Sequence, residues 1–420
     1  GMVMGIYLNP GNKSFQESVC SEIYVDKTGL IACTNKLLNT REKYVCISRP
    51  RRFGKSMTLE MLAAYYSCGC DSADLFRKFR IACDQSFQKH LNQHNVIYLN
   101  MQQFVIGTEN HAVIRSLEHK VLCELWEAYG SYIQNTDAGL ADALMRIYAK
   151  TGKTFIILID EWDCVMRERQ YSETMQKQYL DFLRKLLKDQ PYVALAYMTG
   201  ILPVKKYGQH SALNMFWEYS MTDQKTLEQY TGFTEAEVKV LCDQYDMDFN
   251  EMGSWYDGYC FTEFRHIYNT RSVVEAMVCH RLSNYWTSTE TYDALKIYID
   301  MDFDGLRPDI LLMLGGGRVR INTRSFQNDM RNFHTKDDVL TLLVHLGYDS
   351  KTQEAFIPNR EIIGEFENAM SVSGWPEVMR VLKASEQLVE DTLAGRESRV
   401  AEALDRAHME VSSILTYNDE

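Results

Sequence analysis

The chain has 420 residues, 45% hydrophobic and 24% charged, a composition that builds packed domains and excludes a disordered or collagen-like polypeptide. A formal charge of −12 excludes a generally basic nucleic-acid-binding surface, and 11 Cys without a C-x-x-C pair argue against a secreted disulfide framework or a zinc ribbon. Gly1-Met2 reads as a tag remnant, no signal peptide is visible, and no apolar run approaches the ~20 residues of a membrane span, so a cytoplasmic protein with reduced thiols is expected.

The first half alternates strand and helix patterns. Tyr44–Ser48 is a short apolar strand running into a basic, Gly-containing turn, and the stretch from Arg41 to Lys55 holds six basic residues against one acidic. Positive charge concentrated there, in an acidic chain, points to a bound anion. Thr58, Met61, Leu62 and Tyr65 follow at the spacing of a helix with one buried face. Asn95–Met101 is the next strand, and helical stretches are expected at about 111–150. Phe155–Ile159 is an unbroken apolar run ending at Asp160, the pattern of a strand buried on both faces. A helix at about 173–189, a strand within Pro191–Ile201 and another at Phe216–Met221 complete the half. The alternation predicts an α/β fold, a parallel sheet with helices on both faces.

After about residue 225 helical patterns dominate. Thr234 and Glu237 form a capping box that opens a helix. Trp255–Tyr259 and the turn Gly315–Gly317 interrupt the pattern, and strand-like pieces at Val319–Ile321 and Ala355–Pro358 suggest a small winged-helix-like element. Lys383–His408 has the pattern of an amphipathic helix. The expected division is a core with an N-terminal extension at 1–222, a helical lid-like domain at 223–345, and a winged-helix-like end with a C-terminal helix at 346–420.

The chemistry concentrates in Arg49-Pro-Arg-Arg-Phe-Gly-Lys-Ser56, between a strand and a helix. A phosphate-binding P-loop needs converging backbone N–H groups, a helix N-terminus, a Lys for the β/γ oxygens and a hydroxyl for Mg2+. Gly54, Lys55 and Ser56 supply the last positions, whereas Arg49 stands where the first Gly of the motif is usual. The expected nucleotide contacts are Arg49, Arg51, Arg52, Phe53, Gly54, Lys55, Ser56 and Met57. Asp160, at a strand end, is suited to hold Mg2+ with Ser56, and Glu161 to polarise an attacking water. Thr199, at the end of the next strand, is a candidate sensor of the γ-phosphate or the water, or an ordinary strand-end Thr. No N-K-x-D guanine-reading motif follows the loop, so ATP is favoured over GTP. The Trp255–Tyr259 cluster reads as packing around a turn more than as a base-stacking platform, Lys205-Lys206 as a solvated pair, and the His residues as giving no structural metal site.

With these residues in hand, the sequence resembles the predicted AAA-ATPase-like family. The matching segments are Tyr24-Val-Asp-Lys-Thr28, Arg49–Ser56, Leu158-Ile-Asp-Glu-Trp-Asp163, Thr199-Gly-Ile201, Gly232–Val238, Trp255–Tyr259, Tyr268-Asn269 with Ser272-Val273, and Gly347-Tyr348 with Ile357-Pro-Asn359. The resemblance implies that Arg in place of the first Gly is usual, that Tyr24 and Asp26 lie near the adenine, and that a PD-(D/E)XK nuclease-like module usually accompanies the ATPase. The E-x-K strings Glu118–Lys120 and Glu237–Lys239 sit in helical patterns, so that nuclease site is not expected within this chain. Three functions compete: ATP hydrolysis driving a conformational change in a nucleic-acid-related or defence complex, a nucleotide-gated switch with little turnover, and an adaptor. Arg271 is a candidate for the cation that completes a neighbouring site.

Overall fold

The structure, a computed structural model, describes residues 5–49, 53–106, 108–109, 112–133, 139–167, 172–200, 213, 215–219, 227–257, 266–285, 306–320, 347–349, 352 and 354–372. Five apolar segments become the strands of one sheet: β1 (Tyr44–Ser48), β2 (Asn95–Asn100), β3 (Phe155–Asp160), β4 (Val193–Gly200) and β5 (Trp217–Tyr219). Their order is β2-β3-β4-β1-β5, and every neighbouring pair is parallel. β1, β3 and β4 are buried at every position, which is why each reads as a continuous apolar run and not an alternation. β4 arrives late in the chain but inserts between β1 and β3. The loop after β1 and the acidic end of β3 therefore flank the end of β4, at the carboxyl edge where open parallel sheets bind ligands.

α1 (Lys13–Val19), α2 (Gly29–Leu37) and α3 (Lys55–Tyr66) cover one face. Leu59, Leu62, Tyr65 and Tyr66 of α3 share a core with Ile47, Ile156, Leu158 and Tyr197 of the strands. The sequence expectation of helix at about 111–150 resolves into two helices, Val113–Tyr129 and Leu140–Thr151, the second closed by Gly152 at φ +72°. Glu173–Leu187 is capped by Ser172, whose side chain accepts the Met175 N–H, and Tyr179 within it donates to the Trp162 carbonyl. One feature was not foreseen from the sequence: Tyr7–Asn9 runs antiparallel along β2, with Asn9 N–H on Val96 O at 2.7 Å and Tyr98 N–H on Tyr7 O at 2.8 Å. This covers a sheet edge that would otherwise offer open backbone groups.

Contacts divide the chain into two compact units, the first formed mainly by residues up to Gly232 and the second beginning at Phe233. In the second, β6 (Phe233–Thr234) pairs antiparallel with β7 (Ile267–Tyr268), and the capping box of Thr234 and Glu237 opens the helix Glu235–Tyr245 as expected. β8 (Val319–Arg320), β9 (Gly347–Asp349) and β10 (Glu354–Phe356) form a three-stranded antiparallel sheet in the order β8-β10-β9. Helices Leu306–Leu314 and Arg360–Val372 flank it in sequence, but the described parts do not by themselves make a winged helix. The expected helix at 383–408, Lys205-Lys206 and Tyr259 lie outside the described residues. Trp255–Asp257 has a packing role: Asn359 donates to the Asp257 carbonyl at 3.1 Å while capping Ile362 N–H at 3.0 Å. Nearby, Ser272 donates to Glu361 at 2.8 Å, a second polar tie, here buried, between separate segments of the sequence.

Candidate nucleotide-binding site

The loop between β1 and α3 is shaped by Gly54, whose φ of +77° is a left-handed conformation that a side chain would strain. Immediately after it, Lys55 opens α3, so a helix N-terminus begins at the end of the loop. Phe53 is buried and anchors the loop to the core. Lys55 is also buried, and its Nζ donates to the Arg49 carbonyl at 2.7 Å, which turns the ammonium back toward the end of β1. Arg49, in the position of the usual first Gly, is wholly buried. Its N–H donates to Gly200 O at 3.1 Å, continuing the β1–β4 ladder by one bond, and its Nη1 donates to Ser48 O at 2.9 Å. Arg51 and Arg52 lie outside the described residues, and Met57 is half-buried on the first turn of α3.

Asp160 ends β3 fully buried, and two hydroxyls converge on it. Ser56 Oγ donates to Oδ2 at 2.6 Å and Thr199 Oγ1 to Oδ1 at 2.6 Å. Burial pushes the Asp160 carboxyl above its ordinary range, the two hydroxyl donors pull it back, Glu161 raises it further and Lys55 lowers it. Glu161 sits at φ +53°, an unusual conformation for a residue with a Cβ, and turns the chain sharply at the end of β3. The turn is held by Trp162 N–H on Thr199 O at 3.0 Å. Gly200 has no room for a side chain: a Cβ there would lie 2.6 Å from Trp162 Nε1 and 2.8 Å from Asp163 Oδ1.

The structure therefore brings Lys55, Ser56, Asp160, Glu161 and Thr199 together, and Thr199 acts on Asp160 in this arrangement. Tyr24 and Asp26 have a different setting. Tyr24 packs against Phe15 and Phe79 at centroid distances of 5.8 and 5.0 Å. Asp26 accepts from Thr28 N–H at 2.8 Å and from Arg80 N–H at 2.9 Å, which fixes the connection into α2. Two residues escaped the sequence reading. Asn100 lies directly opposite Asp160 in the β2–β3 register, at the same carboxyl edge. Glu60, one turn beyond Ser56 on α3, has its carboxyl pushed up to about 7 by burial, with Asp160 and Glu17 adding to the rise. The signal for Glu60 was an acidic residue inside the buried stripe of α3; Asn100 had none beyond its strand-end position.

A strand–loop–helix anion cradle ending in Gly-Lys-Ser, with a buried acid two strands away and a hydroxyl-bearing strand between them, defines the P-loop NTPase class. Within that class, residues 11–209, a little under half of the chain, match the family model described as predicted AAA-ATPase. A curated relative, an uncharacterized protein in the vnfD 5′ region of Azotobacter chroococcum mcd 1, is 24% identical over 274 residues, covering 64% of this chain. The chain spans about half (51%) of that relative's length. Among solved structures, the Walker-type ATPase PABY2304 of Pyrococcus abyssi is 12% identical with a TM-score of 0.42, covering 81% of this chain and 94% of that one. The ORC2 protein of Aeropyrum pernix, in ADPNP–ADP complexes, is 11% identical with a TM-score of 0.40, covering 84% and 96%. Among the described residues, no helix is long and apolar enough to cross a membrane.

Proposed function

We propose that this chain binds Mg·ATP between the Arg49–Ser56 loop and Asp160–Glu161, and hydrolyses it to drive a conformational change. The observation that carries this reading is the 2.6 Å bond from Ser56 Oγ to Asp160 Oδ2, which joins groups 104 residues apart at the mouth of the helix. The contact is a charge-assisted hydrogen bond in which a hydroxyl and a carboxylate, both hard oxygen donors, share one spot, a pair suited to a small hard cation such as Mg2+. Ser56 and Asp160 are the proposed Mg2+ holders; the ion, when bound, supplies positive charge to the phosphate oxygens. Lys55 then leaves the Arg49 carbonyl for the phosphates, and backbone N–H groups at the α3 N-terminus donate to them. Glu161 orients and deprotonates the attacking water, and Thr199 holds Asp160 in register.

Calorimetric titration of Mg·ATP into the full chain, beside Lys55→Ala, is the first test: saturable binding lost in the variant supports the site, and no binding in either removes the reading. A second reading, a nucleotide-gated switch with little turnover, draws on the self-satisfied state of the site, in which Lys55, Ser56 and Thr199 all have protein partners. Glu161→Gln separates the two. Under hydrolysis it abolishes phosphate release and spares binding; under the switch reading both stay as they were.

The family resemblance supports a protein partner or a PD-(D/E)XK nuclease-like module, in a nucleic-acid-related or defence complex, as recipient of the change. None of the ten described cysteines forms a disulfide, which supports a reducing, cytoplasmic compartment.

A further inference from the structure

His90 and His94 stand i, i+4 in the sequence, an H-x-x-x-H spacing at odds with the expectation of no structural metal from the His residues. His90 closes the short helix Phe87–His90, and His94 lies just before β2. Their rings stack at a centroid distance of 5.2 Å, and His90 Nδ1 lies 3.0 Å from His94 Nε2. The backbone between them is pinned to the end of α3. Asn92 N–H donates to Tyr65 O at 2.6 Å, His94 N–H to Tyr66 O at 2.9 Å, and Cys68 N–H to His94 O at 2.8 Å. Tyr66 packs edge-on against the His94 ring. The two nitrogens are thus held in place before any ligand arrives.

The geometry points to a divalent transition-metal site, for Zn2+, Ni2+ or Cu2+, formed by His90 Nδ1 and His94 Nε2. Two nitrogens each about 2.0–2.1 Å from one ion and tetrahedrally disposed lie slightly more than 3 Å apart, close to the separation already present. Imidazole is a ligand only in its neutral form. Burial lowers the pKa of both rings, His94 to about 4 with His90 adding to the effect, and His90 with Lys89 adding to it. Both rings keep their full complement of protons: His90 carries its hydrogen on Nε2 and His94 on Nδ1, a tautomer exchange without net proton release. Among the described residues no cluster of three or more His, Cys, Asp or Glu side chains surrounds an ion position. The remaining coordination positions therefore belong to water or to an external donor.

The test uses the full chain, stripped with chelator, titrated with Ni2+ and Cu2+ and with Mg2+ as the control. A Cys68→Ser/Cys70→Ser background keeps the neighbouring thiols out of the count. One equivalent should bind, Cu2+ more tightly than Ni2+, and His90→Gln or His94→Gln should each weaken binding by more than about tenfold. Copper electron paramagnetic resonance on the unsubstituted chain counts imidazole nitrogens without relying on any variant folding. Two equivalent nitrogens are expected. One or none, no binding at all, or undiminished affinity in the double His variant would overturn the site.

Discussion

Replacing Glu60 by Gln should stabilise the protein in alkaline solution and leave it unchanged in mild acid. Glu60 lies one turn beyond Ser56 on α3, where burial, Asp160 and Glu17 raise its carboxyl from 4.5 to about 7. A raised acid holds its proton more tightly in the folded chain than in the unfolded one. Its contribution is therefore favourable below the unfolded value and is lost as pH rises from about 4.5 through about 7. Every tenfold gain in proton affinity is worth about 1.4 kcal/mol, but the carboxyl is only partly buried and solvent screens part of that, leaving about 1–2 kcal/mol at pH 8. For a chain of 420 residues the unfolding entropy is about 0.9 kcal/mol/K, so the relief equals a rise of roughly 1–2 °C in Tm. Thermal unfolding of wild type and Glu60→Gln at pH 5 and pH 8, in metal-free buffer, measures it. The difference should be near zero at pH 5 and positive at pH 8; a pH-independent difference, or a less stable variant at pH 8, would refute the reasoning.

Gly200→Ala places a methyl group 2.6 Å from Trp162 Nε1 and should cost about 1–3 kcal/mol in urea unfolding, with a shift in Trp emission. Thr199→Val removes a donor from Asp160, so its carboxyl should rise further and the pH at which Mg·ATP binding is half-lost should move upward, with Thr199→Ser restoring it. Asn92→Ala forfeits side-chain bonds to Ala64 O, Ser67 O and Ser72 N–H, at 2.9, 2.9 and 2.8 Å, and also strains φ +54°. The expected loss is about 2–4 kcal/mol in chemical denaturation, and unchanged stability would count against the turn's importance.

The sheet was legible because its central strands are buried on both faces and so appear as uninterrupted apolar runs. Phe155–Asp160 and Val193–Gly200 fall within a residue or two of the sequence reading. The order of the strands was not legible, since nothing local to β4 says that it separates β1 from β3. The site residues were readable as types at fixed offsets from strand ends. Their partners were not: Thr199 meets Asp160 only because β3 and β4 are neighbours. Tyr7–Asn9 was missed for a similar reason, as a three-residue edge segment carries no periodicity to detect. His90 and His94 had the spacing in plain view, yet only the pinned turn brings their nitrogens to 3.0 Å.

The placement of β4 also governs how the chain comes together on the ribosome. Tyr44–Ser48 is flanked in the finished sheet by Val193–Gly200 and Trp217–Tyr219, both of which are made far later. At roughly 5–20 residues per second, the ~150 intervening residues take on the order of 10–30 s to appear. Throughout that interval an apolar strand and the loop behind it have no sheet partners. Pairings of such long sequence separation form slowly. Synthesis therefore exposes a sticky segment that must be sheltered, and the phosphate cradle is among the last parts of its unit to take shape.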